Sequence, residues 1–181
     1  MRFFLQKLNR NRSGENTTIS KKSIIIPPVF IGNNVRIGDY TKIVGPVYLA
    51  DNTTVGDYSL VRESYVNCNT IIGGYCEVAR SYLDKHITLH NNYIGDSVVA
   101  NDVLIGAGVV AANFRFDEKT VKSKVGPIRI DSNLNKLGTI VGSGTRIGVN
   151  VSILPGIKIG HHCWIKPGIV VKSDVKNNSF I

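Results

Sequence analysis

The sequence has few cysteines, no long apolar run and a shortage of acidic residues, and each of these excludes a class of protein. The three cysteines, Cys68, Cys76 and Cys163, are an odd number at spacings that match neither a zinc pair nor a redox pair. We therefore expect reduced thiols and no metal. No segment approaches the roughly 18 unbroken apolar residues of a membrane helix, and cations interrupt the N-terminal stretch before a signal-peptide core could form. These absences predict a cytoplasmic protein with no membrane partner.

Acidic residues are outnumbered, with 13 Asp and Glu against 22 Lys and Arg, which gives a formal charge of +9 at pH 7. The cations are spread along the chain without the arginine–aromatic interleaving of a nucleic-acid groove, so we expect no nucleic-acid partner. One local concentration lies between Arg115 and Lys136. It suits a small phosphorylated ligand, but a solvated basic loop would have the same composition. Charge alone leaves both interpretations open.

What the sequence does contain is an internal repeat of six residues. An aliphatic residue leads each hexad, and a small residue, often Gly, follows it. The leading residues are Ile31, Ile37, Ile43, Leu49, Val55 and Val61, and later Val141, Ile147, Ile153, Ile159, Ile165 and Val171. This period is typical of a β-solenoid in which aliphatic side chains point inward and three hexads form one turn of about 18 residues. We predict an all-β parallel β-helix over residues 23–181, preceded by an N-terminal extension over residues 1–22.

Two breaks interrupt this rhythm. Steps of six continued from Val78 would place Asp84 and His90 inward, where an unpaired charge is costly. We therefore predict a bulge around residues 84–93, with His90 facing outward. The second break spans roughly residues 112–137, which have no six-residue phase and carry many cations. Because loops that leave a rigid scaffold often carry function, the two breaks together predict one site.

The segments HNNYIGDSVVANDVLIGAGVVAANFRFDEKTVK and RIDSNLNKLGTIVGSGTRIGVNVSILPGIKIG resemble the acetyltransferase domain of a bifunctional family. That family combines glucosamine-1-phosphate acetyltransferase with N-acetylglucosamine-1-phosphate uridylyltransferase, and the likeness is strongest to its archaeal-type sugar-1-phosphate nucleotidylyltransferase branch. The resemblance implies a left-handed β-helix, a homotrimer and active sites between subunits. It also implies transfer of acetyl from acetyl-CoA to the amino group of a hexosamine 1-phosphate, for UDP-sugar synthesis.

The resemblance assigns roles to seven residues. His90 matches the general base and Asn113 an amide that aims the amine, while the other matches are Tyr93 (sugar orientation), Arg62, Lys119 and Lys122 (sugar phosphate) and Ala107 (coenzyme A). The chemistry is sound, because imidazole titrates near neutral pH and can accept a proton as the amine attacks. Each residue alone also has a purely structural interpretation. The joint spacing of His90, Tyr93, Asn113 and Lys119 is what favours a site.

The sequence departs from the family in several places. A second phosphate-binding lysine aligns near Ala79, with Arg80 beside it as a possible substitute, and Val149 stands where the family has a serine near the acetyl group. The family's C-terminal arm and its nucleotidylyltransferase domain have no counterpart in the sequence. We therefore expect a separate nucleotidylyltransferase as partner, and substrate choice between glucosamine-1-phosphate and galactosamine-1-phosphate stays open.

Two rival functions remain at this point. A γ-carbonic-anhydrase-like metalloenzyme would use the same solenoid, with His86 and His90 as candidate ligands, but a catalytic zinc needs three protein ligands and a third histidine is hard to place. The other rival is a non-catalytic solenoid subunit that binds a separate nucleotidylyltransferase. We favour the acetyltransferase and expect no metal site.

Overall fold

The structure, a computed structural model, describes residues 12–181 as a three-sided coil of short β-strands. No helix occurs in that range, and so none there has the length and apolarity needed to cross a bilayer. Each side of the coil is a sheet of eight parallel strands, in which neighbouring strands belong to adjacent turns. Isolated bridges of Val175 to Ile159 and of Phe180 to Trp164 begin a further turn, so the coil has about nine turns.

The chain visits the three faces in order, and we number the faces and the corners that follow them accordingly. The first face contains Arg12–Ser13, Val29–Ile31, Val47–Leu49, Tyr65–Val66, Tyr82–Leu83, Val98–Val99, Ile140–Val141 and Lys158–Ile159. The second face contains Thr18–Ile19, Arg36–Ile37, Thr54–Val55, Ile71–Ile72, Thr88–Leu89, Leu104–Ile105, Arg146–Ile147 and Trp164–Ile165. The third face contains Ile24–Ile26, Lys42–Val44, Leu60–Arg62, Glu77–Ala79, Tyr93–Gly95, Val110–Ala111, Ser152–Ile153 and Val170–Val171.

The core is a column of aliphatic side chains along the axis of the coil. Neighbouring residues of a strand point to opposite sides, so each short strand sends one side chain inward. Ile43, Val61 and Val78, which follow one another on the third face, are each 0% exposed. Complete burial of such a side chain contributes roughly 1.5–3 kcal/mol. The column therefore explains why the sequence repeats an aliphatic residue at this period.

The solenoid begins earlier than the boundary predicted at residue 23. Arg12–Ser13 pairs in parallel with the strand one turn later, where Ser13 lies opposite Ile31. Residues 12–22 thus belong to the first turn of the coil, whereas residues 1–11 lie outside the described residues. The hexad pattern missed this turn because a serine at the first leading position carries no hydrophobic signal.

The bulge predicted around residues 84–93 is wrong, because the corners shorten instead. The inward residues are Leu83 and Leu89, both 0% exposed, and not Asp84 and His90. Side-chain contacts between adjacent turns join residues 18 positions apart early in the coil, then 17, then 16. Each shortened corner moves the inward position back by one residue, so a strict step of six loses it. His90 is exposed, as predicted.

The long inserted loop leaves the coil after Ala111 and returns at Ile140. It contains an antiparallel hairpin of Lys122–Val125 and Ile128–Asp131. Three contacts join the hairpin region to the coil. The Val121 side chain, 1% exposed, packs against Gly156 of the third corner, and the Ser123 hydroxyl donates to the Gly156 carbonyl at 2.8 Å. Lys158 Nζ donates to the Lys124 carbonyl. The sequence predicted the inserted loop, but not its hairpin.

Candidate functional site

Three of the candidate residues lie on the third face or at its two edges. Tyr93 begins a strand of that face and points outward, since its neighbour Ile94 is buried in the core. His90 lies just before it on the second corner, and Asn113 lies at the third corner of the next turn, where the inserted loop begins. Three residues of extended chain span at most about 10 Å, so the Cα atoms of His90 and Tyr93 lie within that distance of each other.

Tyr93 and Asn113 are in direct contact. The side-chain amide of Asn113, which is 7% exposed, donates to the Tyr93 phenol oxygen at 3.0 Å. The same nitrogen makes a second, short hydrogen bond to Asp96 Oδ2. The structure thus brings together two residues that the resemblance placed at one site, and it adds an aspartate that the sequence analysis did not consider.

Asp96 is bound in turn by Arg80, one turn earlier at the same corner. The guanidinium makes a two-pronged contact, Nε to Oδ1 at 2.6 Å and Nη2 to Oδ2 at 2.7 Å. The side chains are only 18% and 13% exposed, and this hydrogen bonding raises the pKa of Arg80 above its ordinary value. Arg80 is therefore committed to Asp96 and is not a free substitute for the missing phosphate-binding lysine.

The second corner shapes the surroundings of His90. Its backbone N–H donates to Asn92 Oδ1 at 2.6 Å, and the buried Asn92 donates onward to the Gly106 carbonyl at 2.8 Å. A Cβ at Gly73, one turn earlier, would lie 3.6 Å from the imidazole Nδ1. The ring thus lies beside a bare corner, a corner where Gly73 has no side chain. Neither ring nitrogen has a hydrogen-bond partner among residues 12–181.

The candidate phosphate ligands are dispersed. Arg62 Nη2 donates to Glu77 Oε1 at 2.8 Å, and Glu77 lies opposite Tyr93 in the neighbouring strand. Lys119 is exposed in the inserted loop, and Lys122 is exposed on the hairpin. None of these three cations contacts the Tyr93–Asn113 pair.

Ala107, the candidate contact to coenzyme A, is exposed on the second corner one turn after His90. Its carbonyl accepts from the backbone N–H of Asn150 at 2.8 Å, which holds it in the stack of corners. An extended molecule bound along the stacked second corners could contact both His90 and Ala107, which lie one turn apart.

A cleft of about 900 Å³ lies between the hairpin and the third corner. Its lining includes the cations Arg115, Lys122, Lys124, Arg129 and Lys172 and the rings of Phe114 and Phe116. It does not include His90, Tyr93 or Asn113, but Ala112, beside Asn113, forms part of its wall. The cations concentrated in this part of the sequence therefore line a cleft whose wall reaches Ala112, the residue before Asn113.

One cation of the cleft is neutralised locally. Arg115 binds Asp117 at 2.6 and 2.7 Å, and this hydrogen bonding lowers the pKa of Asp117 to about 2.

The histidines named for the metalloenzyme hypothesis lie at different corners. His86 is on the first corner, where Asn69 Nδ2 lies 3.2 Å from its Nε2, whereas His90 is on the second. In the part of the chain that the structure describes, no three His, Cys, Asp or Glu side chains are grouped as metal ligands would be.

The fold defines the class of the protein: it is a left-handed parallel β-helix built from hexapeptide repeats. Among solved structures it is similar to UDP-N-acetylglucosamine acyltransferase from Campylobacter jejuni, with a TM-score of 0.58 at 14% identity over 91% of this chain and 64% of that one. At this level of identity the likeness shows the fold alone.

The chain belongs to the family of the GMPPB C-terminal domain, which matches residues 11–130. It is 53% identical over 91 residues to a bifunctional sugar-1-phosphate nucleotidylyltransferase/acetyltransferase of Sulfurisphaera tokodaii, covering 50% of this chain and 23% of that protein. It is 35% identical over 114 residues to the bifunctional protein GlmU of Methanocaldococcus jannaschii, covering 62% of this chain and 28% of that protein. The alignments thus span about a quarter of each relative, and the resemblance inferred from sequence is confirmed.

Proposed function

We propose that this protein transfers the acetyl group of acetyl-CoA to the amino group of a hexosamine 1-phosphate, with glucosamine-1-phosphate as the first candidate and galactosamine-1-phosphate as the second. The observation that carries the proposal is the hydrogen-bonded Tyr93–Asn113 pair on a face flanked by His90, whose imidazole has no partner among the described residues. The relative from Sulfurisphaera tokodaii, a bifunctional sugar-1-phosphate nucleotidylyltransferase/acetyltransferase, supports the same chemistry.

The reaction assigns one task to each of these side chains. The amine nitrogen attacks the thioester carbonyl carbon, a C–N bond forms, the C–S bond breaks, and coenzyme A leaves as the thiol. His90 accepts the proton that the nitrogen loses and returns a proton to the leaving sulfur. Asn113 holds the amine and Tyr93 the sugar, so that the nitrogen approaches the carbonyl in a productive geometry.

The phosphoryl group of the sugar is proposed to meet the cations around the hairpin cleft. Lys122 lines the cleft next to Lys124, and Lys119 lies in the same loop. Lysine offers a movable point charge to phosphate oxygens, whereas the guanidinium of Arg62 offers a fork. Arg62 would have to exchange Glu77 for the substrate, so we give the lysines the larger share of phosphate recognition.

The assembly and setting of the enzyme are part of the proposal. A homotrimer would bring a neighbouring subunit to the third face, and coenzyme A would lie along the second corner past Ala107. A separate nucleotidylyltransferase would consume the N-acetylated product in UDP-sugar synthesis. A cytoplasmic location remains a prediction.

A thiol-release assay with a panel of amino sugars tests the function. Glucosamine-1-phosphate and galactosamine-1-phosphate are compared with their unphosphorylated forms and with N-acetylglucosamine-1-phosphate, whose nitrogen is already blocked. We expect thiol release with a hexosamine 1-phosphate and none with the blocked sugar. If the protein released no thiol with any of the free amines but did bind a nucleotidylyltransferase, the result would instead favour the hypothesis of a non-catalytic solenoid subunit.

A further inference from the structure

We propose that Asp96, held by Arg80, sets the hydrogen-bond polarity of the site, so that Asn113 offers the substrate an acceptor and Tyr93 offers it a donor. This inference deepens the proposed function and rests on it. Asp96 and Arg80 act through Asn113 and Tyr93, and they are positioning residues, not catalytic ones.

The first step is the way in which Arg80 binds Asp96. Its two oxygens face the Nε and Nη2 of Arg80 at 2.6 and 2.7 Å, at a corner where both side chains are largely buried. Arg80 thus donates to both carboxylate oxygens, the two-pronged geometry in which a guanidinium binds a carboxylate. An ionised carboxylate only accepts hydrogen bonds. Whatever polar group of Asn113 faces Asp96 must therefore be the nitrogen.

The second step follows from the two hydrogens of that nitrogen. One is donated to Asp96 Oδ2 and the other to the Tyr93 phenol oxygen at 3.0 Å. The Asn113 carbonyl oxygen is left without a partner in residues 12–181. Every fully buried side-chain oxygen or nitrogen in this range has a hydrogen-bond partner. The Asn113 oxygen is therefore accessible to solvent. Since the Tyr93 oxygen accepts from Asn113, its own hydrogen is free to point elsewhere.

Gly95 shows how closely this contact is built into the strand. A Cβ on Gly95 would lie 2.6 Å from the Tyr93 hydroxyl and 2.7 Å from the Asn113 side-chain nitrogen. Because no real Cβ approaches atoms so closely, the two polar groups meet over a position that only glycine leaves open. The pair is thus packed between a bare backbone below and the Asp96–Arg80 ion pair beside it.

The resulting pattern suits an amino sugar. The free carbonyl of Asn113 accepts an N–H from the amine, and the free O–H of Tyr93 donates to a hydroxyl or phosphoryl oxygen of the same ligand. If Asn113 were turned over, its amide hydrogens would face the hydrogens of the amine. Asp96 excludes that orientation, since two acceptors would then face each other.

The test compares Asp96→Asn with Asp102→Asn. Asn at position 96 keeps the shape but can also donate, so Asn113 is free to turn over. Asp102 is a matched control, because it also pairs with an arginine, Arg146, at 3.1 Å and also has a left-handed backbone, with φ of 56° against 51° for Asp96. Asp102 lies on the first corner and Arg146 on the second face, and neither is hydrogen-bonded to Asn113.

Binding of glucosamine-1-phosphate and of glucose 1-phosphate is measured by calorimetry without coenzyme A. An ammonium or amine needs the acceptor, whereas a hydroxyl adapts to either orientation of the amide. We expect Asp96→Asn to lower the preference for the amino sugar by about 10- to 100-fold, the effect of losing a hydrogen bond to a charged group. Asp102→Asn should leave the preference for the amino sugar unchanged. Asp96→Glu, which keeps the carboxylate, should retain much of that preference. An equal loss for both sugars would show a merely structural role and overturn the inference.

A second measurement is independent of any substrate. Hydrogen exchange of the Asn113 side-chain amide, assigned by comparison with Asn113→Ala, should be slow in the native protein and fast in Asp96→Asn. Unchanged exchange would overturn the inference. If the native protein binds the amino sugar and shows this protection but does not acetylate, the proposed function fails while the polarity of the site stands.

Discussion

Leu89 and His90 are consecutive residues on opposite sides of the coil wall: Leu89 has no exposed surface, and His90 lies in solvent. We expect Leu89→Ala to lower the free energy of unfolding by roughly 2–5 kcal/mol, because it empties a site in the axial column. His90→Ala should change it by no more than about 0.5 kcal/mol. Urea unfolding of both variants checks the register, and a reversed order would contradict it.

The same His90→Ala variant should lower turnover by roughly 10²- to 10⁴-fold, the usual contribution of a general base, while the oligomeric mass is unchanged. His86→Ala is the matched control, since it removes an exposed imidazole from the first corner of the same turn. It should leave the thiol-release rate unaltered. Full activity in His90→Ala would remove the general-base role.

Gly73→Ala should disturb His90 from the neighbouring turn. The added Cβ would lie 2.6 Å from the Leu89 carbonyl oxygen and 3.4 Å from the His90 Cα, both backbone atoms. We expect a cost of about 1–3 kcal/mol in stability, typical of overpacking, together with lower turnover. Gly74→Ala is the control, because its nearest backbone atom would be 3.2 Å away, in Asp57. If both variants behaved alike, the bare corner at Gly73 would have no particular role.

Lys119→Ala and Lys122→Ala should weaken the discrimination between phosphorylated and unphosphorylated sugars. We expect the KM for hexosamine 1-phosphate to rise by about 10-fold, as for loss of one charged hydrogen bond, with little change for the free sugar. Lys85→Ala removes an exposed cation from the first corner and serves as the control. An equal loss on both kinds of sugar would contradict the phosphate assignment.

The Arg115–Asp117 pair should be visible in an acid titration of the cleft. Arg115 lowers the pKa of the Asp117 carboxyl to about 2, from an ordinary value of 3.8. Because the folded pKa is depressed, the pair favours the folded loop above the ordinary value, and that contribution is lost as the pH falls through about 2. Carboxyl NMR should give this midpoint in the native protein and one closer to 3.8 in Arg115→Ala. An unshifted midpoint in the variant would show that Arg115 is not the cause.

The hexad pattern predicted the parallel β-helix because the buried column needs an aliphatic side chain at each inward position. It failed at both ends of the regular blocks for local reasons. Ser13 hid the first described turn, and shortened corners moved the inward positions to Leu83 and Leu89. A corner that is one residue shorter removes no side chain from the core. Its only sign in the sequence is therefore a shift by one residue in the spacing of the aliphatic positions.

The candidate site divides in the same way. The spacing of His90, Tyr93 and Asn113 was visible in the chain and carried the resemblance to a family of acetyltransferases. The Arg80–Asp96 pair and the cleft beneath the hairpin were not, because they depend on which residues of successive turns lie above one another.

The sequence by itself determined the architecture, since burial of one aliphatic residue in each hexad depends on local period alone. Only the tertiary structure decided the partners of each polar side chain. Outside the turn that contains the inserted loop, residues in contact across turns are separated by 18, 17 or 16 positions according to the lengths of the corners between them. The corner lengths are fixed only in the folded coil, because hydrogen bonding between neighbouring turns determines which residues lie opposite each other.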